Sequence, residues 1–409
     1  MKKTLRLLCL ASMTGFWLNS TAQTWWPQNS STNQNLMNIN FYDNNNGMSF
    51  GDTLTTIVST TNKGFNWNGL TPTYTSGDIR SSAYLNNTTI VAVGIHNVVG
   101  GNGVVLKTSN NGSTWSSDIS VPEKLFDVSF SNSTDGWISG ENGYIARTTN
   151  AGTSWVQQNS GTGQDLFSIY FIDNSTGWAV GTVGVNATIL KTTNAGSTWT
   201  AQNSGIVNDL LSVFFIDNMT GWAVGISGSI LKTTDGGTNW VQQTSGTNED
   251  LLDLYFLDAN NGWIVGTAGT VLKTTDGGTN WIAETSGTGQ DIQSIVMLND
   301  SLGWFCGDGG TIHVYGTSAP NSISENAFSN SGIRIFPNPT NNVLNVSFTQ
   351  PMKLGQIELF NAQGAKVMQA DATQVNEVNL SVKDLLPGIY FLNILNQNGM
   401  QQIKPVVIE

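Results

Sequence analysis

The apolar residues of this 409-residue chain fall in short runs, rich in β-branched and aromatic side chains, that are separated by Gly, Asn and Asp. In the stretch from 166 to 202 these runs predict four strands, at 166–172, 177–181, 187–192 and 198–202. Nothing in this pattern repeats with the 3.6-residue period of a helix, which excludes an α-solenoid. The pattern therefore predicts an all-β protein.

The four-strand unit is one of seven repeats, each marked by a glycine that closes its second predicted strand. These glycines are Gly51, Gly94, Gly140, Gly181, Gly225, Gly266 and Gly307, at spacings of 43, 46, 41, 44, 41 and 41 residues. A four-stranded unit of about 40–45 residues is the blade of a β-propeller. We therefore predict a seven-bladed β-propeller over residues 23–316.

The two ends of the array predict how the ring closes. The last repeat has three strands, the third at 310–316, and lacks a fourth. The segment "TWWPQNSS" at 24–31 matches "TWTAQNSG" at 198–205, which holds the fourth strand of another repeat. We expect the N-terminal strand to complete the last blade, because this pairing removes an open sheet edge.

A turn between the third and fourth strands recurs as "TTDGGTNW" and looser copies. Its Asn or Asp accepts backbone N–H bonds, and its Trp anchors the hairpin. The predicted positions are Asn62, Trp67, Asn111, Trp115, Asn150, Trp155, Asn194, Trp199, Asp235, Trp240, Asp276 and Trp281. These turns resemble Asp-boxes, which implies a structural role away from the ligand face. We interpret the Trp residues as packing between blades.

The full unit at 209–240, "DLLSVFFIDNMTGWAVGISGSILKTTDGGTNW", is similar to the photosystem II stability/assembly factor propeller family. The resemblance covers residues 24–316 and implies the propeller fold. That family's assembly factors bind their partner through arginines, whereas this propeller holds only Arg80 and Arg147. The same shortage argues against a sialidase, which needs three arginines for its substrate carboxylate.

The first 22 residues read as a secretory signal peptide. Lys2, Lys3 and Arg6 precede an apolar stretch, and cleavage is expected after Ala22. The stretch is too short for a membrane-spanning segment. Its removal leaves 13 basic against 28 acidic residues, a net charge of −15. Such a surface disfavours nucleic acid and anionic membranes. Cys306 is then the remaining cysteine, so no intramolecular disulfide is expected.

The composition changes after the repeats. Residues 317–331 have the composition of a linker, and residues 332–409 predict about seven short strands of a small Ig-like β-sandwich. This last region resembles the type A sorting domain of the type IX (Por) secretion system. The matching residues are Pro337, Asn338, Pro339, Gly388, Tyr390 and Lys404. The resemblance implies an outer-membrane translocon as partner and a secreted or cell-surface protein. A generic sandwich appended for binding is the alternative.

The sequence assembles no catalytic residues. His96 and His313 lie in different blades, so neither a His-based metal site nor a Ser-His-Asp triad is predicted. The inner strands of five blades open with an aspartate, namely Asp78, Asp165, Asp209, Asp250 and Asp291. These carboxylates could form a ring at the channel mouth that holds calcium or a cationic ligand. Alternatively, each aspartate caps the turn before its strand. No other cofactor is expected.

Loops that break the repeat are the expected binding determinants. The largest insertion lies between the second and third strands of the second blade, at 95–103, and offers His96, Asn97 and Asn102. The sequence thus favours an exported, non-enzymatic propeller that binds an unidentified protein or polysaccharide. A glycan-degrading hydrolase with carboxylate catalysis and an assembly factor for other exported proteins are the alternatives.

Overall fold

A computed structural model describes residues 23–52, 56–70, 77–96, 102–317, 333–352, 354–361, 365–371, 375–396 and 401–408. The predicted signal peptide, and all of the predicted linker except Thr317, lie outside these residues. The chain forms two compact units, Met1–Pro320 and Asn321–Glu409.

The first unit consists of seven antiparallel four-stranded sheets. The first four sheets contain β2 (Leu36–Phe41), β3 (Gly47–Gly51), β4 (Ile57–Thr60) and β5 (Asn68–Leu70); β6 (Asp78–Tyr84), β7 (Ile90–Ile95), β8 (Gly103–Thr108) and β9 (Ser116–Val121); β10 (Leu125–Phe130), β11 (Gly136–Gly140), β12 (Ile145–Thr148) and β13 (Val156–Gln158); and β14 (Leu166–Phe171), β15 (Gly177–Val183), β16 (Ala187–Thr192) and β17 (Thr200–Ala201).

The remaining three sheets follow the same order. They contain β18 (Leu210–Phe215), β19 (Gly221–Gly225), β20 (Ser229–Thr233) and β21 (Val241–Gln243); β22 (Leu251–Phe256), β23 (Gly262–Gly266), β24 (Val271–Thr274) and β25 (Ile282–Ala283); and β26 (Ile292–Asn299), β27 (Leu302–Gly307), β28 (Thr311–Gly316) and β1 (Thr24–Gln28). Short 3₁₀ turns at Glu141–Gly143, Thr267–Gly269 and Asp308–Gly310 join second to third strands in three sheets.

The first strand of every sheet lies at the centre of the unit. These inner strands are β2, β6, β10, β14, β18, β22 and β26, and each contacts the next. The last of them, β26, contacts β2, so the inner strands form a closed ring. The N-terminal strand β1 pairs with β28 in the register Trp25↔Tyr315 and completes the seventh sheet. The sequence match between 24–31 and 198–205 predicted this pairing.

Aromatic stacking joins neighbouring sheets. Trp178 of β15 lies 3.5 Å, centroid to centroid, above Phe215 of the next inner strand. Trp304 of the seventh sheet stacks in the same way on Phe41 of the first, at 3.6 Å. The residue before each such tryptophan must be small. A Cβ at Gly177, for example, would lie 2.6 Å from the Phe171 ring. The aromatic core thus runs between the sheets and across the closure.

The recurring turn of six sheets, here called the turn box, has the form T-x-[N/D]-x-G-x-x-W. In the fifth sheet, Thr233 Oγ1 accepts the amide of Gly237 at 2.8 Å and Asp235 Oδ1 accepts the amide of Asn239 at 2.9 Å. The Gly236 carbonyl accepts Trp178 Nε1 and Lys191 Nζ from the fourth sheet, at 3.2 and 2.8 Å. A turn box therefore closes its own hairpin and fastens the preceding sheet.

One predicted turn-box residue is wrong. In the second sheet Asn110, and not Asn111, accepts the amide of Thr114 at 2.9 Å and bonds the hydroxyl of Thr108. Asn111 occupies the next position, where φ is +53°. The two adjacent asparagines in "TSNNGSTW" caused the error, because the turn box places its Asn or Asp two positions before the glycine, here Gly112, and this spacing selects the first of them.

Among its described residues, the second unit contains seven strands in two antiparallel sheets, one of three strands and one of four. They are β29 (Ile333–Phe336), β30 (Val343–Met352) and β33 (Val375–Ser381) in one, and β32 (Lys366–Asp371), β31 (Leu354–Asn361), β34 (Gly388–Asn396) and β35 (Gln401–Ile408) in the other. Residues from both sheets, including Leu344, Val346, Ile357, Leu359 and Leu392, share one buried core. Such packing of two sheets on one core requires the alternation of apolar residues seen in these strands.

Candidate functional site

Each inner strand contains a bulge at the same place. The register shifts between Leu166 and Ser168 in β14, so that Phe167 is an extra residue, and the equivalent shift occurs in the other inner strands. The extra residues are Met37, Arg80, Phe126, Phe167, Leu211, Leu252 and Gln293. A bulge turns its extra side chain away from the regular alternation.

The bulge side chains line the channel that the inner strands enclose. Together with the residues that follow them, they surround a cavity of about 110 Å³. Five of them are apolar, namely Met37, Phe126, Phe167, Leu211 and Leu252, and we call these five the collar. The rings of Phe126 and Phe167 lie 5.3 Å apart. A second cavity of about 260 Å³ continues along the inner strands past Tyr170, Phe214 and Tyr255.

Below the collar, Asp127 connects three sheets. Its Oδ1 accepts the hydroxyl of Ser81 at 2.7 Å and the amide of Val128 at 2.8 Å. Its Oδ2 accepts the hydroxyl of Ser168 and the amide of Ile169, both at 2.9 Å. These amides lie on the channel edge of their strands, where no neighbouring strand can accept them. The carboxylate thus replaces a missing strand partner.

Asp253 connects three further sheets in the same way. Its carboxylate accepts the hydroxyl of Ser212 at 3.0 Å and the amides of Leu254 and Ile295 at 2.9 and 3.0 Å. Both carboxylates keep some accessible surface toward the channel but are enclosed by protein on their other sides. Burial raises the pKa of Asp127, and it raises the pKa of Asp253 to about 6, against the lowering effect of the hydrogen bonds.

The aspartates predicted to ring the channel mouth bond backbone amides instead of gathering around one point. Oδ1 of Asp165, Asp209, Asp250 and Asp291 accepts the amide of Asn142, Val183, Ser227 and Ala268, respectively, each at 2.8 Å. Three of these amides belong to the connection between strands two and three of the preceding sheet, and the amide of Val183 belongs to the last residue of such a second strand. The alternative prediction, capping of the turn before the residue's own strand, therefore had the wrong partner.

Asp78, the fifth aspartate of that set, accepts Arg80 Nη2 at 3.3 Å. Among the described residues, no group of three or more His, Cys, Asp or Glu side chains is arranged to hold a metal ion. The calcium hypothesis for the ring remains a prediction.

Of the three loop residues predicted to determine binding, the structure describes His96 and Asn102. The hairpin of β7 and β8 extends to a bond from the His96 amide to the Asn102 carbonyl, at 2.7 Å. Asn97 lies outside the described residues. Because the strands are antiparallel, this loop and the turn boxes leave the sheet at opposite ends.

His313 and Cys306 are buried in the seventh sheet. Burial lowers the pKa of His313 to about 4, and its ring contacts Phe305 edge-on at 4.8 Å. Cys306 is fully buried, and burial raises the pKa of its thiol.

The residues of the predicted sorting motif lie around strand β35. Asn338 Oδ1 accepts the amide of Val407 at 2.8 Å. The hydroxyl of Tyr390 donates to the Leu386 carbonyl at 2.7 Å. Gly388 opens β34 with φ of +157°, and Lys404 pairs with Leu392 in the same sheet. Pro337 and Pro339 are exposed beside this edge.

No helix within the described residues has the length and apolar character that crossing a membrane requires.

The fold and the channel together define the class: an all-β repeat protein of the propeller type, followed by a small all-β domain. Residues 334–409 match the family of the secretion system C-terminal sorting domain. Residues 116–203 and 242–322 match the family of the photosynthesis system II assembly factor YCF48. The chain therefore combines a YCF48-like propeller with a Por-type sorting domain, and the sorting domain implies export.

Solved structures agree on the propeller. YCF48 bound to D1 peptide is 20% identical, with 72% of this chain and 97% of that chain covered and a TM-score of 0.60. YCF48 from Cyanidioschyzon merolae is 17% identical over 72% and 99%, with a TM-score of 0.59. The WD40 propeller domain of Doa1 is 13% identical over 73% and 98%, with a TM-score of 0.60. At these identities the likeness establishes the fold alone. The search of curated proteins gives no match.

The sequence reasoning missed the collar and the two channel aspartates. A signal for them exists in the spacing of buried residues. In β14 the buried apolar residues are Leu166, Ile169 and Phe171, and the first interval of three breaks the two-residue alternation of a strand. One extra residue per inner strand, and hence the bulge, could be inferred from that interval.

Proposed function

We propose that the protein is a non-enzymatic binding protein, exported by the type IX secretion system and secreted or held at the cell surface. Each four-stranded sheet is one blade of a seven-bladed propeller, its turn boxes are Asp-boxes, and residues 332–409 are an Ig-like sorting domain. The match of residues 334–409 to the sorting-domain family carries the proposal. A signal peptide cleaved after Ala22 would bring the chain to the translocon.

The geometry of the channel supports binding without chemistry. A hydrolytic carboxylate needs an oxygen free to act as base, acid or nucleophile. Asp127 uses both oxygens to accept four hydrogen bonds from three sheets, and Asp253 is engaged in the same way. These hydrogen bonds hold the inner strands together, and this structural role explains why the two carboxylates are present in the channel.

A second candidate is an assembly factor for other exported proteins. It is favoured by the likeness to YCF48, one structure of which is bound to D1 peptide. The present propeller would use different chemistry, since its two arginines are paired with Asp78 and Asp135.

Two measurements test the proposal. In a host with a type IX system, the full chain is expected in the medium or on the surface, and the chain ending at residue 332 in the periplasm. The exported protein is then screened for protein and polysaccharide binding, with and without calcium, while reducing-sugar release is followed. Equal export of both chains contradicts the secretion route, and sugar release abolished by one carboxylate substitution contradicts the non-enzymatic assignment.

A further inference from the structure

The collar opens toward one end of the propeller unit, and that end is acidic. Each inner strand begins at this end, so the aspartates that open the strands surround the collar two residues before it. Asp209 precedes Leu211, and Asp250 precedes Leu252. Two residues of a strand span about 7 Å. The four carboxylates of Asp165, Asp209, Asp250 and Asp291, which we call the rim, therefore lie close around the apolar collar.

The charge at this end is not balanced by nearby cations. Among the described residues of the connections at this end and the inner strands, the cations are Lys124 and Arg80, and both are already paired, with Glu141 at 3.0 Å and Asp78 at 3.3 Å. The remaining cations lie toward the other end. Lys191 and Lys232 contact turn-box carbonyls there, and Arg147 pairs with Asp135.

We propose that the channel mouth, formed by the collar and the rim, binds a basic segment of a protein partner that inserts one apolar side chain. The collar gives the apolar contact, because its five side chains are only half-buried and keep part of their apolar surface accessible at the mouth. The rim attracts the lysines or arginines beside that side chain. The inference rests on the proposed binding function and specifies its partner.

A polysaccharide fits this mouth less well than such a segment. Neutral and acidic sugars lack the cations that the rim would pair with. The collar consists of half-buried aliphatic and aromatic side chains that converge on a narrow opening, whereas a sugar platform needs a flat exposed ring. Apolar contact inside a ring of like charges instead favours a cationic, apolar ligand.

The test uses the exported protein and three synthetic twelve-residue peptides. One alternates Lys and Leu, the second has Glu in place of Lys, and the third has Ser in place of Leu. Fluorescence anisotropy is measured at low and at physiological salt. We expect the Lys/Leu peptide to bind at least tenfold more tightly than either of the others.

Matched variants assign the binding to the mouth. Asp209→Asn with Asp250→Asn removes two rim charges and keeps the oxygen that accepts the neighbouring amides. Asp217→Asn with Asp258→Asn makes the same charge change in the same two sheets, at turns of the opposite end. We expect the rim pair to weaken binding at least tenfold and the control pair less than twofold. Leu211→Ser with Leu252→Ser should weaken it at least tenfold, with folding checked by thermal unfolding.

Equal effects of the rim and control pairs would show attraction by net charge and overturn the proposal, as would full binding by the leucine variant. A polysaccharide that binds equally to the wild type and the rim variant would also overturn it, while leaving the proposed binding function intact. Loss of export on removal of residues 333–409 is independent of either result.

Discussion

The indole N–H of Trp25 donates to Glu284 Oε2 at 3.1 Å, across 259 positions of the chain. The same carboxylate accepts the hydroxyl of Tyr315 at 3.3 Å, and Lys273 Nζ lies 2.8 Å from that hydroxyl. Elsewhere the equivalent lysine bonds a turn-box carbonyl, as Lys232 does with Gly277. The seventh sheet is made from both ends of the propeller unit, so Tyr315 takes the place of the turn box at the closure.

Trp25→Ala should destabilise the propeller strongly. The side chain is 3% exposed and packs against Phe305 and Tyr315 at centroid distances of 4.7 and 4.8 Å. Truncation of such a residue costs about 3–5 kcal/mol. Urea unfolding of the variant is compared with that of Val241→Ala, whose side chain is 63% exposed on an outer strand and should change stability by less than about 0.5 kcal/mol. Similar losses in both variants would contradict the closure role.

The contribution of Asp253 to the unfolding free energy of the propeller should fall as the pH rises from 4 to 6. Its pKa is raised by burial to about 6 in the folded state, whereas an unfolded aspartate titrates near 3.9. The folded state therefore holds a proton that the unfolded state has lost, and stability falls as the pH rises through this window. Two pKa units correspond to about 3 kcal/mol, all of it present below pH 4.

The measurement is the difference in unfolding free energy between wild type and Asp253→Asn at pH 4, 5, 6 and 7. This difference should decline by about 3 kcal/mol and level off above pH 6. Asp258→Asn is the control of opposite sign, because hydrogen bonds from Asn261 and Asn260 lower the pKa of Asp258. Its contribution should stay nearly constant from pH 4 to 7 and be lost only at an additional point below pH 4. A flat difference for Asp253 would show that its carboxylate is hydrated through the channel.

The turn boxes give a test of close packing at a glycine. Gly237 has φ of +89°, and an added Cβ would lie 2.1 Å from Gln202 Oε1. Gly246 has φ of +79° with open space around it. Both Gly→Ala variants impose a left-handed alanine, at a cost of about 1–3 kcal/mol, but Gly237→Ala must also displace Gln202. Thermal unfolding should therefore show the lower midpoint for Gly237→Ala. Equal midpoints would mean that Gln202 moves without cost.

Most of the propeller could be predicted from the sequence because each repeat shows the same motifs at the same spacing. The strands predicted at 187–192 and 177–181 appear as Ala187–Thr192 and Gly177–Val183, and the closing strand was identified from its likeness to 198–205. The predicted 198–202 shortens to Thr200–Ala201, since Trp199 still belongs to the turn box. Local pattern and turn chemistry agree in these elements, and such agreement makes prediction reliable.

The site was less accessible from the sequence because its contacts cross between repeats. Asp165 looks like a turn residue of its own repeat, yet it bonds Asn142 of the preceding sheet, and only the ring geometry places the two together. Asp127 occupies a position where most repeats have Ser, so nothing local distinguishes a channel residue from an exposed one. The bulge that exposes Phe167 to the channel needed the three-residue interval to be noticed.

The corrected turn box of the second sheet makes opposite predictions for two adjacent asparagines. Asn110→Ala removes the acceptor for the Thr114 amide and should cost about 1 kcal/mol, as for the loss of a capping side chain. Asn111→Gly relieves a side chain at φ of +53° and should be neutral or stabilising by up to about 1 kcal/mol. Urea unfolding of the two variants decides between the assignments, because the reverse order would restore Asn111 as the turn-box residue.

The thiol of Cys306 should be unreactive in the folded protein. The side chain is fully buried between the seventh and first sheets, where Sγ lies 3.5 Å from the Leu36 carbonyl, and burial raises the pKa of the thiol. The thiolate is the nucleophile that attacks alkylating reagents, and in the folded protein it is scarce and shielded. Iodoacetamide at pH 8 should leave the native exported protein unlabelled and modify one cysteine in 8 M urea, as judged by mass spectrometry. Labelling of the native protein at a rate near that in urea would mean that the closure between these sheets opens readily, and Trp25→Ala should then label faster still.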